Sequence, residues 1–115
     1  MIVNLNRNTT IASRPFYAVR LWDRTRGMIG RDFSADLDAV VFSACRAIHT
    51  FFMKIPLDVL FLNRENIVVA QRRNLQPWHP CVCSLHACTV VELPAGTLEK
   101  SGTCAGDRLA FQRPE

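Results

Sequence analysis

The chain has no apolar run approaching the roughly 18 residues that a membrane-spanning helix needs, so no transmembrane helix is read from it. Its first residues, Met1 to Arg7, lack a basic stretch followed by an apolar one; no secretory signal is read, and the expected location is the cytoplasm. Internal repeats, low-complexity tracts and linker-like stretches are missing too, which leaves residues 1–115 as one expected domain. The cysteines, Cys45, Cys81, Cys83, Cys88 and Cys104, are odd in number and cannot all pair within one chain. A disulfide scaffold is therefore not expected, and reduced thiols are. A phosphate-cradling loop is absent as well, because Gly106-Asp107 lacks the repeated glycines and the following helix. That pair reads as a turn, with glycine supplying positive φ and aspartate bonding the backbone.

What is present is an ordinary globular composition. Of 115 residues, 49% are hydrophobic and 21% charged, enough for one core that buries roughly two-thirds of the unfolded surface. The net charge of +4 is unevenly placed. Six arginines stand against Asp23 within residues 1–31, whereas residues 32–66 are net acidic. Such a basic segment suits a solvated helix face better than an anionic partner. Nucleic acid is not expected, since no aromatics interleave with the basic residues on strands as stacking platforms require.

The periodicity predicts a mainly β, small barrel- or sandwich-like domain. It carries one amphipathic N-terminal helix and a short helical turn near the C-terminus. Met1 to Asn6 alternates as a half-buried strand, a polar turn follows, and Ile11-Ala12 continues the sheet. The helix is expected from about Arg14 to Ile29, with Ser13 as N-cap, Pro15 in the first turn and Gly30 as terminator. Ala18, Leu21, Trp22, Thr25, Met28 and Ile29 would form its buried stripe. Strands are expected over Ala39 to Phe42, His49 to Met53, Leu57 to Leu62, Ile67 to Gln71, Thr89 to Leu93 and Arg108 to Phe111. Asn63 to Asn66 reads as a hairpin turn, Pro77 to Pro80 as a loop, and Gly96 to Lys100 as one helical turn ending at Gly102.

Several landmarks recur in a recognisable order: Arg26-Gly27-Met28-Ile29-Gly30-Arg31, the block Ile48 to Leu62, Val91-Glu92-Leu93-Pro94-Ala95-Gly96, and Gly106-Asp107. With this series the chain resembles domain of unknown function 192, a family of uncharacterised small β-barrel proteins, over about residues 10–111. It resembles a His-Thr-containing branch, with Phe52 where many members carry tryptophan and Lys54 running directly into Ile55-Pro56. The resemblance implies a β-rich, barrel-like fold with a helix and implies no activity.

Candidate chemistry lies where polar side chains interrupt apolar runs. Asp58 and Glu92, with His49 and Lys54 nearby in sequence, are candidates for a general acid/base cluster. The structural alternative has Asp58 accepting backbone N–H bonds near the turn at Pro56, and Glu92 paired with an arginine. His49 is read as a catalytic base, a ligand, or a core histidine bonded to a carbonyl. His49, Thr50, Met53, Lys54, Asp58, Trp78 and Glu92 are the ligand-binding candidates, with Trp78 either a recognition residue or a lid. Cys81, Cys83 and Cys88, with His79 and His86 interleaved, invite zinc, though a single residue between Cys81 and Cys83 makes a poor chelate. Cys81 and Cys83 are alternatively small core hydrophobes on one side of a strand. Cys45 and Cys88 are possible nucleophiles that nothing marks as such. No cofactor is expected beyond that zinc possibility. The leading expectation is a non-catalytic module that binds a small molecule or a protein. The alternatives are a hydrolase or isomerase using His49, Asp58 and Glu92, and a metal or redox protein using the Cys81–Cys88 segment.

Overall fold

In the computed structural model, residues 1–18, 33–34, 36–48, 55–79 and 81–112 are described. In chain order the strands are β1 (Ile2–Asn4), β2 (Thr9–Ala12), β3 (Pro15–Tyr17), β4 (Ala39–Ser43), β5 (Ala47–Ile48), β6 (Leu57–Leu62), β7 (Val68–Leu75), β8 (Val82–Cys83), β9 (Thr89–Pro94) and β10 (Leu109–Phe111). Helix α1 (Thr97–Ser101) lies between β9 and β10. No helix among the described residues is long and apolar enough to cross a membrane.

Five strands form the main sheet in the order β3-β4-β9-β6-β7, with β3 parallel to β4 and the other pairs antiparallel. Both faces of this sheet are covered, which is why Leu57–Leu62 is apolar at every position except Asp58 rather than alternating. All of its positions are buried. One face carries Ala39, Val41, Leu60, Leu62, Val91 and Leu93, packed with Ile2, Ile11, Leu98 and Leu109 from β1, β2, α1 and β10. The opposite face carries Val40, Phe42, Leu57, Val59, Phe61 and Val90, packed with Val82 and Ala87.

The second sheet, β10-β1-β2, is joined to the first by backbone bonds around Asp107. Val68 N–H donates to Asp107 O at 2.8 Å, Gly106 N–H to Val68 O at 2.7 Å and Leu109 N–H to Asn66 O at 2.9 Å. A two-stranded ribbon, β5-β8, makes the third sheet. The described strands therefore do not close into the expected barrel: β3 and β7 remain the edges of the five-stranded sheet. β7 tolerates its edge position because Arg72 and Arg73 are exposed there, charges that discourage pairing with another chain.

The beginning of the expected N-terminal helix is also corrected. Pro15–Tyr17 is a strand in parallel register with Ala39–Val41, and Ala18 N–H continues the ladder to Val41 O at 2.9 Å. Ser13 does not cap a helix; Ser13 N–H and Arg14 N–H each donate to the Asp38 carboxylate at 2.7 Å. Proline at an edge strand forfeits no ladder bond on its open side, so Pro15 is as compatible with β3 as with a first helical turn. The rest of that helix, Gly30, and the expected strand His49 to Met53 lie outside the described residues.

The hairpin turn and the short helix match their expectations, whereas β5 and β8 were not expected and β7 runs on to Leu75, beyond the expected Ile67 to Gln71. Asn63 Oδ1 accepts from Glu65 N–H and Ile67 N–H at 3.0 Å, closing the β6–β7 hairpin turn. Gly96 at φ 95° begins α1 and Gly102 at φ 70° ends it.

Candidate functional site

The two carboxylates singled out by the sequence are both buried, Asp58 at 1% and Glu92 at 3% exposure. They do not meet. Register pairs Val59 with Glu92 and Asp58 with Leu93. Side chains alternate along strands, so Asp58 shares the face of Leu60 and Leu62 while Glu92 shares that of Val59 and Val90. A one-residue difference in parity thus sends the carboxylates to opposite sides of the sheet, and no acid/base pair forms from them.

Asp58 serves the backbone. Its Oδ1 accepts from Asn74 N–H at 2.9 Å, and its Oδ2 accepts from Gly96 N–H at 3.1 Å and Leu98 N–H at 2.9 Å. These donors come from β7 and the start of α1, not from the turn at Pro56 as anticipated. The β6–β7 register shifts between Leu57 and Val59, and Asn74 takes φ 52°. This irregularity presents the Asn74 N–H to the carboxylate, and α1 presents two of the donors that every helix start leaves unpaired.

Glu92 sits between Val40 and Val59 on neighbouring strands. Its Oε2 has no hydrogen-bond partner, and no arginine among the described residues pairs with it as anticipated. Desolvation raises its pKa from 4.5 to about 8, which leaves it mostly protonated near neutrality. A neutral carboxylic acid can donate one hydrogen bond from this face; Arg72 lies in the same cross-strand row one strand beyond Val59, and no ion pair joins it to Glu92.

A third polar cluster was not legible in the sequence. Asn4 Nδ2 donates to Thr103 Oγ1 at 3.1 Å and to Asp107 Oδ2 at 3.0 Å. Asp107 Oδ2 also accepts from Arg7 Nε at 3.1 Å and Cys104 N–H at 3.0 Å. Burial pushes the Asp107 carboxyl up, but the bonds from Asn4, Cys104 and Arg7 outweigh it and hold the pKa below 3.8. The turn expected at Gly106-Asp107 is present, with Gly106 at φ 95°. Asn4 and Thr103 stand about a hundred residues apart, and no local pattern signals their meeting.

The cysteine-rich segment is mostly surface. Val82 takes the core side of β8, so Cys81 and Cys83 face solvent and are exposed rather than core residues. All five cysteines are free, and no group of three or more potential metal ligands occurs among the described residues. His79, Cys81, Cys83 and Cys88 thus provide no zinc centre there. His86 lies in an exposed turn beside Leu85, which is 79% exposed. Trp78 is 59% exposed and takes φ 73°, a conformation that bulky residues rarely adopt. His49, Thr50, Met53 and Lys54 lie outside the described residues.

Comparison with known proteins agrees with this architecture. A UPF0127 protein of Pyrococcus furiosus is 37% identical over 67 residues, 58% of this chain and 57% of that protein's length. The match therefore spans little more than half of that relative. A crystal structure of a protein of unknown function from Novosphingobium aromaticivorans superposes with a TM-score of 0.74, covering 90% of this chain and 80% of that one at 17% identity. Another, of a Sinorhizobium meliloti protein provisionally named a transcription regulator, superposes with a TM-score of 0.78, covering 95% and 88% at 23% identity. At such identities these two likenesses concern the fold alone. The family model for DUF192, described as "Uncharacterized ACR, COG1430", matches residues 4–111, and the chain belongs to that family.

Proposed function

We propose that this chain is a non-catalytic binding module that recognises a protein partner through the β7–β9 connection, residues 76–88. The observation that carries the reading is the placement of Trp78 and Leu85. They are the two most exposed large apolar side chains among the described residues, and they flank the same short strand, β8. Exposed aromatic anchors on loops held by a rigid sheet are the usual centres of recognition surfaces. The left-handed backbone at Trp78 supports the same reading, since such conformations persist where the surroundings enforce them.

The fate of the carboxylates favours binding over chemistry. Asp58 is engaged by three backbone donors, and Glu92 faces the other way. Neither has the other as a partner for proton transfer.

The test is a titration of ¹⁵N-labelled protein with the macromolecular and the small-molecule fractions of a cell lysate. The macromolecular fraction should shift the Trp78 indole resonance and amides within residues 76–88. The double variant W78A/L85S should keep its thermal midpoint and lose those shifts. Shifts produced only by the small-molecule fraction, or located away from this connection, would overturn the reading.

A further inference from the structure

The strand pair β4–β9 ends in an irregularity that sets two cysteines opposite each other along the backbone. Ser43 pairs with Thr89, yet the next bond runs from Cys45 N–H to Cys88 O at 3.0 Å. Two residues, Ala44 and Cys45, therefore oppose the single residue Cys88, and Ala44 takes a left-handed conformation, φ 52°, as the first residue does in one class of bulge. Cross-strand neighbours lie about 4.5–5.5 Å apart at Cα, within the span a disulfide bridges.

Both cysteines are partly exposed and line one open pocket of about 430 Å³. Arg46 and Arg64 line it with them, and no acidic side chain does. Both arginines are exposed, and neither forms an ion pair among the described residues. The Cys45 thiol donates to Ala47 O at 3.1 Å, which holds it at this site. Partly exposed thiols in an electropositive setting are the reactive kind, and guanidinium groups suit the carboxylates of a small ligand.

We propose that the pocket formed by Cys45, Cys88, Arg46 and Arg64 is a thiol–disulfide exchange site for small anionic disulfides. One cysteine, as its thiolate, attacks a sulfur of the disulfide R–S–S–R. That S–S bond breaks, one RS⁻ departs and takes up the proton released by the cysteine, and a mixed disulfide remains. The second cysteine, likewise deprotonated, attacks the protein sulfur of the mixed disulfide and expels the other half. The protein loses two electrons and gains the Cys45–Cys88 bond, while R–S–S–R becomes two RSH. In a reducing compartment the bond is transient, which suits a sensor rather than a structural staple. The proposal stands on residues other than Trp78 and Leu85, so it survives or fails separately from the recognition reading.

The experiment uses the full chain carrying C81S/C83S/C104S, so that only the two pocket thiols remain. It is exposed in turn to oxidised glutathione, hydroxyethyl disulfide and cystamine, which are anionic, neutral and cationic. Each rate is normalised to that of the same probe with N-acetylcysteine amide. Peptide mapping after alkylation should find the Cys45–Cys88 crosslink. The normalised rate should favour oxidised glutathione over cystamine by about tenfold, and the R46Q/R64Q variant should abolish that preference. Peptide mapping of the wild-type chain gives the same readout if the triple variant does not fold. Glutathione adducts without the crosslink, or rates indifferent to probe charge, would overturn the proposal.

Discussion

Burial of Glu92 with an unpartnered Oε2 makes stability depend on pH in a definite direction. The unfolded chain releases this proton near 4.5 and the folded protein near 8. Between those values the unfolded state binds fewer protons, so stability is fully present below 4.5 and is lost as pH rises through 8. The loss attributable to this one group is on the order of 3–5 kcal/mol. Urea unfolding at pH 5, 7 and 9 should show that decline in the wild type, and a flatter profile in E92Q, whose amide does not titrate. The presence of an acid inside Val90-Val91-Glu92-Leu93 was legible in the sequence. Its isolation was not, because whether an arginine reaches it depends on which strands flank β9.

Among the elements, Asp58 joins β6 to β7 and to the start of α1 through three N–H bonds. D58N keeps the volume but offers only one carbonyl oxygen, leaving at least one of the three donors unpaired. A loss of about 2–3 kcal/mol is expected by chemical denaturation. At the other end of α1, Gly102 has φ 70° and its N–H donates to Glu99 O at 3.3 Å. G102A has free space for its Cβ but must adopt a left-handed conformation, which should cost about 1 kcal/mol in the same assay. Strands β4, β6 and β9 and the short helix were all readable from apolar runs and glycine placement. Strand β3 was not. Pro15, Phe16, Tyr17 and Ala18 fit a helix start equally well, and only the parallel neighbour β4 decides in favour of a strand.

At the scale of the whole molecule, the Asn4–Thr103–Asp107 cluster fastens the three-stranded sheet to the loop that adjoins β7. The folded-state pKa of Asp107 is depressed, so its contribution is present above 3.8 and is lost as pH falls through the folded value. D107N should remove this acid sensitivity while lowering stability at pH 7, both read from unfolding midpoints. N4A leaves Thr103 and Asp107 without the amide donor, and should cost about 2–3 kcal/mol in urea. For Asp107 and Glu92 together, the favourable window lies at about pH 4–5, between the acid loss of one and the alkaline loss of the other.

The amino-acid order by itself determined the β-rich class, the hairpin at Asn63–Asn66, the glycine turns and the membership of the family. Each of these rests on periodicity or local backbone preference, which act over a few residues. Only the tertiary structure decided that the described strands form three sheets instead of a closed barrel. The same holds for the separation of Asp58 from Glu92 and for the bulge at Ala44 that sets Cys45 against Cys88. Those outcomes depend on strand order and register between distant segments, where a shift of one residue moves a side chain to the opposite face.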